Sequence, residues 1–405
     1  MVYQLDAAGV ARLEDYFAGI GKLLKDRRKR ESFAMYALGL LGDGERKSVE
    51  PMAARAASDP AEAERLHFKL LHFVGQAQWS DEAVRREAAR YVVDALATRE
   101  PVTTWIVDDT GFLKQGRHSA GVHRQYTGSA GKITNCQIGV SLAVATNTEH
   151  APIDFALYLP ESWTQDPVRR KQARVPDDVR FLTKTELALQ MIERACLAGI
   201  PGEIILTDSA YGDCCQFRDT VRLLGFDYAV AVHKTTNVRR YDARGRLGPV
   251  QSIAQLVDRL AAECFRKLTW REGTKGPMAS RFYFCQVKPA PDDGIAIESR
   301  EAVWLIAERP PEEESPTKFF LTTLPRRMSK REIVRIIKER WRTERMYEDL
   351  KGELGLDHFE GRSFVGWHHH VSVAICCYAF LVAERVRAFP PDARLRPLGA
   401  FSTAA

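Results

Sequence analysis

The sequence predicts an α/β fold: a mixed sheet with flanking helices, carrying a β-rich insertion and preceded by an all-helical N-terminal domain. Three observations lead there. Apolar residues recur at three- and four-residue spacing up to about residue 98, short apolar and β-branched runs take over from about residue 102, and helix-like and strand-like segments alternate later in the chain. At 405 residues the chain exceeds one ordinary core, so two or three domains are expected.

The N-terminal periodicity runs through Leu13, Phe17, Ile20 and Leu24, and again through Leu66, Leu70, Phe73 and Val74. Trp79, Ser80 and Val84 read as a staple and N-cap opening a further helix. Between the first helical regions lies KLLKDRRKRESF, where Arg27, Arg28, Lys29 and Arg30 follow Lys22 and Lys25, with Asp26 the only acid before Glu31. Such a run is either a solvated helix face or a phosphate-contacting patch.

Strands follow. TTWIVDDTGFLK reads as a short apolar run stopped by two aspartates, ITNCQIGVSLAVAT as a longer strand, and APIDFALYLP as a third, which together suggest an antiparallel meander. Then come a helix in TELALQMIERACLAGI, a buried strand in GEIILTDSAYG, a helix in CCQFRDTVRLLGF and a strand in DYAVAVHKT. That order matches a ribonuclease H-like sheet covered by helices. LTWREG, RFYFCQVKPA, AVWLIAERP and KFFLTTLP read as strands of an insertion, after which Ser329 caps a helix and WHHHVSVAICCYAFLVAERVRAF forms a packed core helix. The expected division is a helical domain over 1–98, the sheet-and-helix core over 99–233 and 328–389, the insertion over 234–327, and a mobile tail over 390–405.

The formal charge of +6 hints at a polyanionic partner without identifying it. Eight cysteines occur without a CxxC pair or a zinc-like histidine companion, which argues against a disulfide framework or zinc knuckle. With neither a signal-peptide pattern nor a run of about 18 apolar residues, a soluble, reducing, cytoplasmic setting is expected.

Four acids stand out. Asp108 and Asp109 close the WIV run, and Asp208 closes the IILT run. An unpaired carboxylate at the end of an apolar strand is costly unless it faces a cleft where water or a metal compensates it, and the carboxyl ends of strands are where open α/β sheets bind ligands. Each aspartate could instead cap a turn. Glu344 lies three residues after Trp341, three before Tyr347 and seven after Ile337, so on one continuous helix it shares their apolar stripe. Its i−4 partner Arg340 offers an intrahelical pair worth only about 0.2–0.5 kcal/mol, too weak to justify burial. Three carboxylates of this kind suit magnesium or manganese. His368, His369 and His370 are consecutive and point in different directions, which argues against one metal site, and Trp270 and Trp304 are expected in a β core more than on a displaced base.

These residues resemble the DDE transposases of bacterial insertion sequences. In the insertion sequence 4 superfamily the last acid sits in a Tyr, two residues, Arg, three residues, Glu, six residues, Lys signature; Arg340, Glu344 and Lys351 match it, with Ile337 at the tyrosine position. VDDTGFLKQGRHSAGVHRQYTG, NCQIGVSLA, LPESWTQDPVRRKQARVPDDV, TKTELALQMI, LTDSAYG and ERKSVEPMAAR look most like the 701 family. The resemblance implies Asp108, Asp208 and Glu344 as catalytic metal ligands, Asp109 being the runner-up for the first position. It further implies two Mg²⁺ or Mn²⁺ ions, DNA cleavage at element ends with strand transfer into target DNA, and a homodimer on DNA. Arg340 and Lys351 would contact phosphates, as would Arg124 and Lys132 in the glycine-rich loop after the first aspartate. Two rival readings share parts of this: a DNA-binding derivative that no longer transposes, and a stand-alone metal-dependent nuclease.

Overall fold

The computed structural model describes residues 6–273, 276–291 and 301–388; the tail expected to be mobile lies outside them. Residues 7–97 are helical: α1 (Ala7–Leu23), α2 (Arg27–Leu41), α3 (Val49–Ala56), α4 (Pro60–Gly75) and α5 (Asp81–Ala97). Side-chain oxygens start four of them, with Asp6, Asp26, Asp59 and Ser80 each accepting from a backbone N–H in the first turn. Ser80 is the cap read from the sequence.

Strands β1 (Thr104–Leu113), β2 (His123–Thr127), β3 (Lys132–Ala145) and β4 (His150–Leu157) come next. Short helices α6 (Glu161–Thr164) and α7 (Pro167–Gln172) lead to α8 (Lys184–Leu197), opened by a capping box between Thr183 and Glu186. Then follow β5 (Ile204–Thr207), α9 (Ser209–Gly212), α10 (Cys215–Leu223) and β6 (Asp227–Val232). The later strands are β7 (Asn237–Tyr241), β8 (Leu247–Ser252), β9 (Arg266–Gly273), β10 (Gly276–Pro289), β11 (Val303–Arg309) and β12 (Lys318–Thr322), with α11 (Ile253–Val257) among them. Helices α12 (Lys330–Lys338), α13 (Trp341–Gly352) and α14 (Phe364–Ala388) end the described chain.

Twelve strands form one mixed sheet in the order β2-β3-β1-β5-β6-β12-β11-β10-β7-β8, with β4 also on β3 and β9 on β10. β1, β3 and β4 are antiparallel neighbours, whereas β5 and β6 run parallel to β1. The strands of residues 237–322 continue this same sheet, because β12 pairs with β6 from Phe319↔Val232 to Thr322↔Ala229. Two readings of strand ends need correction. β1 does not stop at its aspartates: its pairing with β3 continues to Leu113↔Cys136, which supplies backbone partners past the polar residues. The glycine-rich loop contains a strand, β2, hairpinned onto β3.

Helix α14 is buried over almost its whole length, including all three histidines. It packs against α2, α4, α5 and β4, so the N-terminal helices share one apolar core with the sheet. A buried ion network crosses the same junction. Arg85 on α5 donates to Asp154 on β4 at 2.8 Å and to Ser372 on α14 at 2.7 Å, while Arg194 on α8 donates to the other Asp154 oxygen at 2.7 Å. Each buried charge therefore has a partner. No helix among the described residues is long and apolar enough to cross a membrane.

The three histidines turn to three different sets of partners. His370 donates from Nε2 to the carbonyls of Gly355 and Leu356 and accepts at Nδ1 from the Tyr36 hydroxyl at 2.9 Å. His368 donates from Nδ1 to Phe364 O at 3.0 Å and accepts from the Leu157 N–H, and His369 stacks on Trp79 with ring centroids 3.7 Å apart. Burial pushes both His368 and His370 down to about 4. With folded values below the unfolded value of about 6.5, each contributes stability that is full above pH 6.5 and is lost as the pH falls toward 4, on the order of 3 kcal/mol apiece. The unfolding midpoint is therefore expected to drop across that window, and His370→Gln, which does not titrate, is expected to flatten the dependence. Equal pH dependence in thermal melts of both proteins would contradict this.

Candidate active site

Asp108 and Asp208 lie on neighbouring parallel strands. The β1–β5 register pairs Thr104 with Ile204 and Ile106 with Leu206, and each aspartate follows two residues later, where the parallel pairing has ended. The sequence reaches this placement through apolar runs that must pair inside the sheet and acids that must leave it. Gly212 adds a local constraint: a Cβ there would lie 1.9 Å from the Ala231 carbonyl oxygen. Only glycine lets α9 sit this close to β6, which fixes the turn that Asp208 caps by accepting from Ala210 N at 3.0 Å.

Asp108 is 7 % exposed and fully partnered. One oxygen accepts from the Asp109 N–H at 2.8 Å; the other accepts from Arg340 at 2.6 Å and from the Thr343 hydroxyl at 2.8 Å. Burial pushes its carboxyl up to about 6, with the Asp208 charge adding to the rise and Arg340 opposing it. Asp208 is likewise raised by burial and lowered by Arg340. The Arg340 guanidinium thus faces the carboxylates of Asp108 and Asp208 together, and its other end stands 3.4 Å from Glu344. Asp109 points the other way, as alternation along a strand requires, accepting from Lys184 at 2.9 Å and from the Tyr211 hydroxyl at 3.2 Å.

Glu344 is not buried, contrary to the stripe argument: its side chain is 67 % exposed. The helix on which that argument relied is broken. α12 ends at Lys338, and the bonds Glu339 N to Ile336 O, Arg342 N to Glu339 O and Thr343 N to Arg340 O span three residues instead of four. This tighter winding rotates α13 relative to α12, so Ile337 faces one core while Thr343, Met346 and Leu350 define the inner face of α13, and Trp341 is exposed. Arg342 is buried as well, donating to Glu339 and to the carbonyls of Asn147 and Thr148. Glu344 therefore sits at the solvent edge of the acidic centre, beside the arginine that reaches into it.

The basic residues sort into two groups. Lys351 turns inward, donating to the Thr110 hydroxyl and the Gly111 carbonyl at 2.8 Å each, and burial pushes its ammonium below its usual range. Arg124 and Lys132 are exposed on the β2–β3 hairpin. Arg27 to Arg30 form the first turn of α2, where Arg27 pairs with Glu31, Lys29 donates to the Gln78 carbonyl and Arg30 to the Lys25 carbonyl, while Arg28 is exposed. Trp304 packs edge-on to Phe284 and Trp270 edge-on to Phe282 beneath Lys338, as expected of β-core rings. Sequence reasoning missed Thr343 and Lys184. Thr343 directly precedes the chosen glutamate, and Lys184 follows the cap of a recognisable capping box, but neither carries a spacing that names its partner.

Among the described residues no three His, Cys, Asp or Glu side chains are grouped closely enough to hold a metal ion. The donor set nevertheless fits a hard divalent cation in its chemistry. Burial raises the proton affinity of both Asp108 and Asp208, with Asp208 adding to the rise at Asp108 and Asp109 to that at Asp208; Arg340 balances both, and a third carboxylate is exposed beside that arginine.

The profile of the DDE superfamily endonucleases matches residues 20–277, and the chain belongs to this family. Members generally use divalent metal ions. The matched region includes Asp108 and Asp208 and stops short of Glu344. A probable transposase for insertion sequence element IS701 from Microchaete diplosiphon is 27 % identical over 227 residues, which is 56 % of this chain and 55 % of that protein. The match thus spans about half of the relative's length. The NurA nuclease from Sulfolobus solfataricus aligns over 68 % of this chain and 85 % of its own at 12 % identity, with a TM-score of 0.24, too low to bear on the fold.

Removing Arg340 leaves the buried Asp108 charge opposite Asp208 with no cation, held only by the Thr343 hydroxyl and the Asp109 N–H. Arg340→Met is expected to cost about 3 kcal/mol in denaturant unfolding at neutral pH, the low end for a broken buried pair because part of the arginine remains in water. Asp108→Asn in the same chain should recover most of that loss; additive costs in the double variant would refute the coupling.

Proposed function

We propose that the protein is an insertion-sequence transposase that cleaves DNA at the ends of its element and joins them to a target. The observation that carries this reading is the alignment of Asp108, within β1, with Asp208, just past β5, where the parallel pairing of the two strands has ended, with Arg340 on Asp108 and Glu344 beside Arg340. Three antiparallel strands followed by two parallel ones, in the order β4-β3-β1-β5-β6, support a ribonuclease H-like core. We divide the chain accordingly into a helical DNA-binding part over 1–98, the core over 99–233 and 328–389, and a β-rich insertion over 234–327.

Asp108, Asp208 and Glu344 would hold Mg²⁺ or Mn²⁺, two ions in our reading. Such ions, when bound, supply charge stabilisation for in-line phosphodiester displacement. The chain's own groups do the rest. Thr343 and the Asp109 N–H fix the rotamer of Asp108, so its carboxylate keeps its aim. Arg340, charged and partly open to solvent, is placed to grip a phosphate next to the acids. The exposed cations of the α2 turn and the hairpin would hold DNA through its backbone, independently of sequence. Cations in the first turn of a helix oppose its dipole, so Arg27–Arg30 cost local stability and are better explained by an anionic partner. Acting on two ends implies a homodimer on DNA, working in the cytoplasm at the nucleoid.

The test incubates the protein with labelled element ends, target DNA and Mg²⁺. Joined products are expected; cleavage without joining would make the protein a nuclease, and binding without cleavage a regulator. Asp108→Ala, Asp208→Ala and Glu344→Ala should each reduce joining by about 10²-fold or more while leaving DNA binding in place. Joining that survives Asp208→Ala or Glu344→Ala would overturn the assignment.

A further inference from the structure

The β2–β3 hairpin exposes a face that the fold leaves uncovered. Its register sets Tyr126 opposite Ile133 and Arg124 opposite Asn135, and alternation puts these four side chains on the same face. Tyr126 is 63 % exposed and Ile133 59 %. The opposite face anchors the hairpin. Thr127 is buried against Gly111, where a Cβ would come within 2.0 Å of the Thr127 hydroxyl, so β1 must carry glycine for the hairpin to lie this close. In the turn, Ser129 meets the Thr110 hydroxyl at 3.2 Å, accepts from the Gly111 N–H at 3.3 Å, and accepts from Lys351 at 3.3 Å. The hairpin is thereby tied to β1 two residues beyond Asp108 and to α13, which carries Glu344. The hairpin is thus held in fixed register near the acidic centre, with its exposed face turned away from Gly111.

The sequence around this face carries charge of one sign, although the Lys114 ammonium turns to the Phe359 carbonyl, near Asp357 and Glu360. From Thr110 to Thr148 the sequence contains no aspartate or glutamate, while Lys114, Arg117, Arg124 and Lys132 all fall within it. A long acid-free stretch of this kind is complementary to a polyanion. Phosphates alone would not use an aromatic ring beside a β-branched side chain. The faces of a duplex's stacked bases are hidden, and a ring gains from a nucleic acid chiefly where a base plane has been freed.

We propose that the Tyr126–Ile133 face receives an unpaired base at a DNA end, with the Tyr126 ring on the base, Ile133 beside it, and Arg124, on the same face, on the flanking phosphate. This rests on the reading of the chain as an enzyme that processes DNA ends, and it assigns a subsite to that reaction. The hairpin's bonds to Thr110 and Lys351 make the subsite part of the catalytic frame, so a freed base is captured in fixed relation to Asp108.

The test uses duplexes of arbitrary sequence, one fully paired and one with a short unpaired flap bearing 2-aminopurine, without added metal. The wild-type chain should bind the flap probe more tightly and quench its emission by stacking. Tyr126→Ala should weaken flap binding about tenfold and abolish the quench, with little effect on the paired duplex, and Tyr126→Phe should restore both. An unchanged flap preference and quench in Tyr126→Ala would overturn the subsite and leave the proposed function standing. Failure of the wild type to bind either DNA would overturn both. A change in the sedimentation of the protein alone on Tyr126→Ala, with DNA binding unaltered, would make the face a contact between copies of the chain and also overturn the subsite.

Discussion

The ion pair between Arg340 and Asp108 is the constraint on which the acidic centre depends. Asp108 is buried within a strand that continues past it, and it faces a second aspartate on the neighbouring strand, so its charge must be balanced locally. The balance comes from a residue 232 positions away. Once Arg340 reaches the carboxylate, Thr343 completes its hydrogen bonds, Tyr347 bonds Ser141 at 2.6 Å, and α13 is fixed across the strands with Glu344 at the rim. A helix late in the chain is thus docked by electrostatics on a sheet built early. The same interaction brings three carboxylates and one guanidinium into one neighbourhood.

This arrangement separates groups that share a charge. Asp108 and Asp109 are adjacent in sequence but serve different faces, one meeting α13 and the other held by Lys184 and Tyr211. Lys351 and Lys132 both appear as basic residues near the first aspartate, yet Lys351 braces the hairpin from inside while Lys132 faces solvent. Proximity in sequence carries little of this information. The partners that decide it come from distant segments.

The placement of the two aspartates was legible because its causes are local. An apolar run that reaches an acid marks where the parallel pairing stops, which brought Asp108 and Asp208 to neighbouring positions although β1 itself continues to Leu113, and the Ser80 and Ser329 caps were readable because N-capping depends on three or four consecutive residues. Of the two arguments for Glu344, its spacing to Arg340 and Lys351 is untouched, whereas its place on a buried stripe did not survive. Periodicity assumes an unbroken helix, and the short-range bonds around Glu339 and Arg340 change the phase between Ile337 and Thr343. Buried Arg342 lies where a stripe reading expects a solvated cation, because the carbonyls of Asn147 and Thr148 satisfy it from another part of the chain. Strand β2 went unread because its glycine-rich surroundings look like a loop and its outer residues lack the alternation of a half-buried strand. The joining of β12 to β6 was likewise invisible, since strand pairing is set by long-range register.

The central claim is that Asp108, Asp208 and Glu344 form one cation-binding centre. Anomalous diffraction from crystals grown with Mn²⁺ tests it most directly. The account predicts manganese bound between Asp108 and Asp208, with Glu344 turned toward it and Arg340 moved off Asp108. Manganese found elsewhere, with Asp108 still held by Arg340 and Thr343, would contradict it.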